Sequence, residues 1–345
     1  KCFSRYITTK TIKQMEKYRL RGTSYNSRRL LLPLSFGPCS SSLLYILDNY
    51  LHGQFNRMKK VAYELVVVHV DFHPAAVDRD FSMSNFDQFK ARFNRHLFIL
   101  LGLEESMNLE DIDWATLGRL QKSETGNLNE QLQQFLSSIS SQTARADIIN
   151  ILLTRLLVHV AKKNGCESIL YGDSTTKLAE KTLSEIAKGR GISLPWQVCD
   201  SKTHGLGFHY PMREIFRKEL VSFSMITPPL HDLVTNDNVA KTSANSKLAN
   251  INDLMAQYFE SAEDNYPNLV ANVVRTSSRL GLGAYSSKLI CGICGLPCNT
   301  DGDSNSKKTS GPALPDQSNY KATICYGCSQ LVHGNILGIS SIVDR

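Results

Sequence analysis

Leu30 to Leu34 form an apolar run broken only by Pro33, and from Leu43 onward apolar residues recur as Leu43, Leu44, Ile46, Leu47, Tyr50 and Leu51. The first pattern predicts a buried strand and the second a helix with one apolar face. The small-residue stretch between them, Ser35-Phe36-Gly37-Pro38-Cys39-Ser40-Ser41-Ser42, is a tight strand-to-helix turn. A β-branched run at 62–71 follows at βαβ spacing and has the composition of a parallel strand covered on both faces. Phe81 to Gly102 mixes Phe86, Phe89, Phe93, Leu97, Ile99 and Leu100 with Lys90, Arg92, Arg95 and His96, which predicts an amphipathic helix with a basic outer face.

A further helix is predicted over Asp147 to Asn164, capped by Asp147, striped with Ile148, Ile151, Leu152, Arg155, Leu156 and Val160, and closed by Lys162, Lys163 and Gly165. Ser168 to Tyr171 is a short strand breaking at Gly172 into a helix that Asp173 or Ser174 can cap and Lys188-Gly189 ends. Arg190 to Trp196 leads into an extended segment, and helices return at Leu248–Phe259 and at Asn268–Leu280, the second carrying Arg275 and Arg279 outward. The weakly patterned stretch at 108–143 reads as helical segments with a flexible linker, and 227–246 as a linker or irregular loop. Strands alternating with helices give an α/β fold with a parallel sheet.

The chain of 345 residues is long enough for a full core and an added module. No apolar run reaches membrane-span length and no signal peptide heads the sequence, so an intracellular protein is expected. The first residue is Lys1 rather than Met, so a portion of a longer protein is expected. Lys and Arg number 39 against 32 Asp and Glu, an excess that favours a polyanionic partner. Much of it lies in a predicted basic helical arm at 1–29, where Ile12, Met15 and Tyr18 form a thin apolar stripe and Glu16 is the only acid.

Candidate chemistry clusters in three places. Ser40 to Ser42 can cap the helix after the first strand, turning its first amides toward Ser35 and Gly37 in the geometry that holds a phosphate; an ordinary Gly/Ser turn is the plain alternative. Lys177, Arg190 and Arg213 are cations beside loops at strand ends, where open α/β sheets bind ligands. They read either as phosphate or RNA contacts or as salt-bridge partners of Asp173, Glu214 or Glu219. Cys291-Gly292-Ile293-Cys294 and Cys325-Tyr326-Gly327-Cys328 are paired knuckles whose four thiolates suit a closed tetrahedral zinc site. Cys298 is a spare ligand and an iron-sulfur cluster the minority alternative. The polar tract 301–317 only lengthens the loop between the pairs, a small entropic term beside metal binding. His69, His73 and Cys166 read as structural.

The order Ser35, Gly37, Ser40 after an apolar strand resembles the pyrophosphate (PP) loop of the adenine nucleotide alpha-hydrolase superfamily. Phe36 stands where that loop has a glycine and Cys39 where it has an acid, which implies an inherited but impaired loop. Gly172 to Ala179, Ala187 to Trp196 and Tyr210 to Ile215 with Lys218-Glu219 recur in this order in the cytoplasmic tRNA 2-thiolation protein 2 family, which the chain resembles over nearly its whole length.

The resemblance implies a parallel-sheet PP-loop domain at 30–226, a linker with helices at 227–290 and a zinc-ribbon-like module at 291–345. It also implies a non-catalytic, cytoplasmic subunit that pairs with a catalytic tRNA thiolase and helps bind tRNA for 2-thiouridine formation at the wobble position. ATP and magnesium would sit on the partner, and sulfur would come from a thiocarboxylated ubiquitin-related modifier. Cys2-Phe3 resembles the end of a further N-terminal knuckle. Two alternatives stay open: a thiolating enzyme that handles sulfur through Cys39 or Cys199, and a zinc-ribbon RNA-binding scaffold.

Overall fold

Leu30, Leu31 and Leu32 are each 0% exposed, so the strand that carries them is covered on both faces. The computed structural model describes residues 2–19, 28–72, 76–117, 127–234, 250–280, 289–298 and 323–332. In it β1 (Arg28–Pro33), β2 (Tyr63–Asp71), β3 (Leu97–Gly102), β4 (Ser168–Leu170), β5 (Ser201–Thr203) and β6 (Leu206–His209) make one six-stranded sheet in the order β3-β2-β1-β4-β6-β5. All neighbours pair parallel except β5, which runs antiparallel to β6.

Side chains alternate across the sheet, as the two-residue period of a strand requires. Leu30, Leu32, Leu65 and Val67 pack with α1 (Cys2–Gln14), α2 (Pro38–Met58), α3 (Ala76–Arg92) and α8 (Arg217–Ile226) on one side. Leu31, Val66, Val68 and Ile169 pack on the other with α4 (Leu128–Ser137), α5 (Gln142–Lys163) and the cysteine knuckles. A third cluster joins α6 (Thr175–Ala187), α7 (Leu194–Val198), α10 (Ile251–Asn265) and α11 (Pro267–Ser277). A short α9 (Pro228–His231) follows α8. Chain order runs outward from β1 to β2 and β3, then returns to β4 on its other edge. The carboxyl ends of β1 and β4 thus flank the point where open α/β sheets place a ligand crevice.

Several sequence expectations are corrected. The stretch 81–102 is not one helix: α3 ends at Arg92, and Leu97-Phe98-Ile99-Leu100-Leu101 pairs in parallel with β2 as β3. Asp147 does not cap α5; the helix starts a turn earlier, with the Ser141 hydroxyl accepting from the Ala144 amide, and Asp147 is buried in ion pairs. Ser40 to Ser42 lie inside α2, whose cap is Gly37 with Pro38 in the first turn. Arg190 to Trp196 forms a 3-10 turn and then enters α7, because Pro195 suits the first turn of a helix, and the extended segment expected beyond it follows as β5. The linker 235–246, His73 and the tract 301–317 lie outside the described residues.

The middle of α2 and the loop after α3 are joined by a carboxylate. Asp48 accepts from Arg95 Nε at 3.1 Å and His96 Nε2 at 3.0 Å, and Arg95 Nη2 also reaches it. Burial alone would raise its pKa, but the hydrogen bonds from His96 and Arg95 outweigh that and hold it below the ordinary carboxylate value. A lowered folded-state pKa stabilises above the unfolded value of about 3.9 and ceases to do so as pH falls through the folded value. Asp48→Asn is therefore expected to destabilise by about 1–3 kcal/mol at neutral pH, with the difference from wild type shrinking below about pH 4. Urea unfolding at several pH values reads this, and a difference independent of pH would contradict it.

Candidate functional site

Strand β1 ends at Pro33, and the Leu34 amide still bonds to Val68 O at 2.8 Å, so the turn that follows starts from a fixed point. Ser35 N–H donates to Ser40 Oγ at 3.2 Å, the two hydroxyl oxygens lie 3.0 Å apart, and Ser40 Oγ donates to Gly37 O at 3.4 Å. The turn therefore does bring Ser35, Gly37 and Ser40 together, with their hydroxyls bonded to one another and to the backbone. Gly172, at the end of β4, rests on this turn: a Cβ there would stand 2.8 Å from Ser40 Cα, so the two loops meet only because residue 172 has no side chain.

Phe36 adopts φ 60°, the left-handed conformation a glycine takes freely, and is 5% exposed. Its ring stacks on His69 at 4.1 Å and on Phe89 at 5.3 Å between centroids. The backbone conformation costs about 1–2 kcal/mol. Burying the ring returns roughly 2–3 kcal/mol, and stacking adds about 0.5–1.5. Burial wins, and the ring fills the space beneath the turn. His69 is locked in place, with its ring nitrogens at 2.7 Å from Leu34 O and 2.9 Å from Ser82 Oγ. That is the structural role its sequence context predicted.

The three sheet-edge cations fare differently. Lys177 is 55% exposed and pairs with Glu180 at 2.8 Å. Arg213 sits in the loop after β6, which Thr175 pins through N–H to Ile215 O and Oγ1 to Arg213 O, both 2.8 Å. Arg190 is no surface contact, a correction to the expectation: its side chain is 2% exposed and bonds Asp147 at 2.5 Å, because the loop after α6 is pressed under the knuckles.

The four predicted knuckle cysteines converge, their sulfurs all within 4.8 Å of one another. Cys294 Sγ and Cys325 Sγ lie 3.8 Å apart, about the edge of a tetrahedron with metal–sulfur bonds of about 2.3 Å. Gly295 N–H to Cys291 O at 2.8 Å closes the first knuckle, Cys328 N–H to Cys325 Sγ at 3.5 Å turns the second, and Gly292 N–H to Thr323 O at 3.0 Å joins them. Hydrogen bonds from Cys294, Cys325 and Cys328 hold the Cys291 thiol far below its ordinary pKa, while the same crowding raises Cys294 and Cys328. Four sulfurs this close cannot all ionise without a cation among them, so the donor set fits a thiophilic metal. Cys298 stands apart, its sulfur 3.8 Å from Leu289 O and its thiol pushed up by burial to about 11.

Beneath the knuckles lies a buried ionic pad that sequence reasoning missed. Arg190 donates to Cys328 Sγ at 3.6 Å, and Lys188 bonds Asp147 at 2.9 Å and also Glu185. Burial opposes the Arg190 charge, yet Asp147, Cys328 and Glu185 outweigh it and raise its pKa. The signal lay in two glycines. A Cβ on Gly189 would meet the Tyr326 ring at 2.7 Å, and one on Gly327 would strike Arg190 Cγ, so each loop is shaped to the other. Elsewhere Cys166 and Cys199 are buried, and burial raises both thiols, Cys166 to about 11.

A family model described as cytoplasmic tRNA 2-thiolation protein 2 matches residues 250–322. A protein of that name from Sclerotinia sclerotiorum is 51% identical over 277 residues, covering 79% of this chain and 75% of the relative. Another from Pyrenophora tritici-repentis is 39% identical over 345 residues, covering 96% of this chain and 89% of the relative. Among solved structures, the U34-tRNA thiolase NcsA from Methanococcus maripaludis with its 4Fe-4S cluster matches with a TM-score of 0.55 at 15% identity, covering 81% of this chain and 80% of that one. At that identity the likeness is one of fold, an α/β arrangement around a mostly parallel sheet.

Left-handed backbone at residue 36 separates two truncations. Phe36→Ala and Phe36→Gly both lose the buried ring, at about 3–5 kcal/mol, but only glycine escapes the conformational term. Phe36→Gly is expected to be the more stable of the two by about 1 kcal/mol in urea unfolding, the reverse of their order in an ordinary turn. Equal stabilities, or alanine the better, would rule out the positive φ.

Proposed function

The chain belongs to the cytoplasmic tRNA 2-thiolation protein 2 family, and from that premise we propose that it is the non-catalytic subunit of a heteromeric tRNA thiolase making 2-thiouridine at the wobble position of cytosolic tRNAs. Family membership and a PP-loop fold both point to tRNA thiolation. The observation that carries the non-catalytic reading is Phe36, whose ring is buried under the turn where a phosphate-binding glycine would leave room. The mutual bonding of Ser35 and Ser40 supports it, since neither hydroxyl is held open toward a ligand. So does Cys39, a soft thiol in place of a hard carboxylate for magnesium.

Sulfur chemistry needs a thiolate within reach. Cys199 is 8% exposed, with burial raising its pKa, which argues against it as a nucleophile. The reacting groups are therefore assigned to a thiolase partner. There ATP adenylates the uridine C2 oxygen and sulfur displaces AMP, the sulfur coming from a thiocarboxylated ubiquitin-related modifier. This chain contributes tRNA binding and support of the active subunit. A cytoplasmic location accords with the relatives' names, and among the described residues no helix is long and apolar enough to cross a membrane.

Cys291, Cys294, Cys325 and Cys328 would hold one zinc ion, which supplies folding energy of order 10 kcal/mol and no open position for chemistry. The 3.8 Å sulfur spacing favours a single ion, because a four-iron cluster puts one iron behind each thiolate and spreads the sulfurs further apart.

Two measurements test these readings. Isothermal titration of ATP with magnesium into the isolated chain is expected to give no saturable binding below the millimolar range, and the chain alone to leave tRNA unthiolated in a mercury-gel assay while the pair thiolates it. Micromolar ATP affinity or thiolation by the chain alone would overturn the non-catalytic role. Separately, metal analysis of purified chain is expected to return one zinc per molecule, lost in Cys328→Ser together with several kcal/mol of stability; iron with visible charge-transfer absorbance would overturn the zinc assignment.

A further inference from the structure

Lys10 on α1, Thr175 at the start of α6, Arg213 and Glu214 in the loop after β6, and Arg275 and Ser278 on and just after α11 line a cavity of about 360 Å³ at the carboxyl edge of the sheet. Three of these six are cations, and among the described residues none of the three has a carboxylate partner. Lys10 Nζ donates to Glu214 O at 3.1 Å and to Tyr6 Oη at 2.6 Å, and Arg275 Nη1 donates to Asn272 Oδ1 at 3.2 Å. Nearby cations are paired: Lys177 with Glu180, Arg217 with Glu260, Lys218 with Asp264. The one carboxylate on the lining, Glu214, is exposed and turned to Gln14, whose amide donates to it at 2.9 Å. Charge in the recess is therefore positive, and its donors are fixed in advance by neutral partners.

Unpaired cations converging on a recess at this edge match the needs of a phosphate ester: several donors, net positive charge and restricted water. The electropositive surface does not stop at its rim. Helix α1 carries Arg5, Lys10 and Lys13 and no acidic residue, and Arg5 to Lys13 spans about 12 Å at 1.5 Å per residue. Arg279 lies exposed one turn beyond Arg275. A free mononucleotide would use the recess and leave these flanking cations idle, whereas a run of backbone phosphates meets them all. We propose that the recess lined by Lys10, Arg213 and Arg275 receives a backbone phosphate of the tRNA, a reading that rests on the tRNA-thiolation role above.

The test uses the chain co-purified with its thiolase partner and fluorescence anisotropy with end-labelled tRNA across a salt series. Lys10→Gln and Arg275→Gln, both at accessible positions, are each expected to weaken binding about three- to tenfold and to lower the slope of log affinity against log salt by about 0.7–0.9. Arg213→Gln should do the same, with Arg213→Lys recovering part of the loss, while Lys202→Gln on β5 should change neither quantity. Unchanged unfolding midpoints certify the variants. If the wild-type complex binds tRNA and the recess variants match it in affinity and slope, the phosphate site is refuted and the parent reading stands. If the wild-type complex binds no tRNA, the parent reading fails and this site with it. If AMP or inorganic phosphate binds the isolated chain at micromolar concentration and Arg275→Gln abolishes that binding, the recess is a small-molecule site and the proposal is overturned.

Discussion

A strand with no exposed face must be flanked on both edges and covered on both sides, and β1 is the strand on which that demand falls. Leu30 and Leu32 are taken up by helices on one side and Leu31 by α5 on the other, so β1 cannot shift register by one residue without exchanging two cores. Its carboxyl end is fixed with the rest, and the turn that leaves it has to thread between β2 and β4. Two strand-end turns are pressed together as a result, so that a Cβ added at Gly172 would stand 2.8 Å from Ser40 Cα and no methyl group fits.

How much of this was legible follows from what each residue competes with. The β1 turn, the β2 run and the paired knuckles were readable because their patterns are local. Strand β3 was misread because Phe86, Phe89 and Phe93 set up a helical period that runs without a break into Leu97, and what ends the helix at Arg92 is pairing with β2, a contact far away in sequence. The start of α5 was misplaced by the same cause. Asp147 looks like a cap in sequence, yet Lys188 and Arg190 draw it into the interior and Ser141 takes its place. Of the recess only Arg213 stood out as a candidate contact, since Lys10 and Arg275 lie far apart in the chain and join it only through tertiary packing.

The knuckles are continuous with the main core. Ile293 is 0% exposed and packs with α5, Asp113 N–H bonds Gly292 O at 3.0 Å, and the second pair rests on Arg190. A tetrathiolate around a divalent ion carries net negative charge, and a buried guanidinium donating to one of its sulfurs offsets part of that charge where water cannot. Asp147 and Glu185 in turn keep the guanidinium from being a lone buried cation. The cysteine cluster and the core beneath it are thus electrostatically one unit.

Phe36 gives the turn after β1 a history that runs in one direction. Once a loop residue has been absorbed into the interior, selection for stability guards it whether or not anything binds above it. Descendants with a glycine there would inherit a hollow between His69 and Phe89 before any gain at the turn could offset it. Reversion therefore passes through poorer folders, and packing alone is enough to hold the filled turn in place.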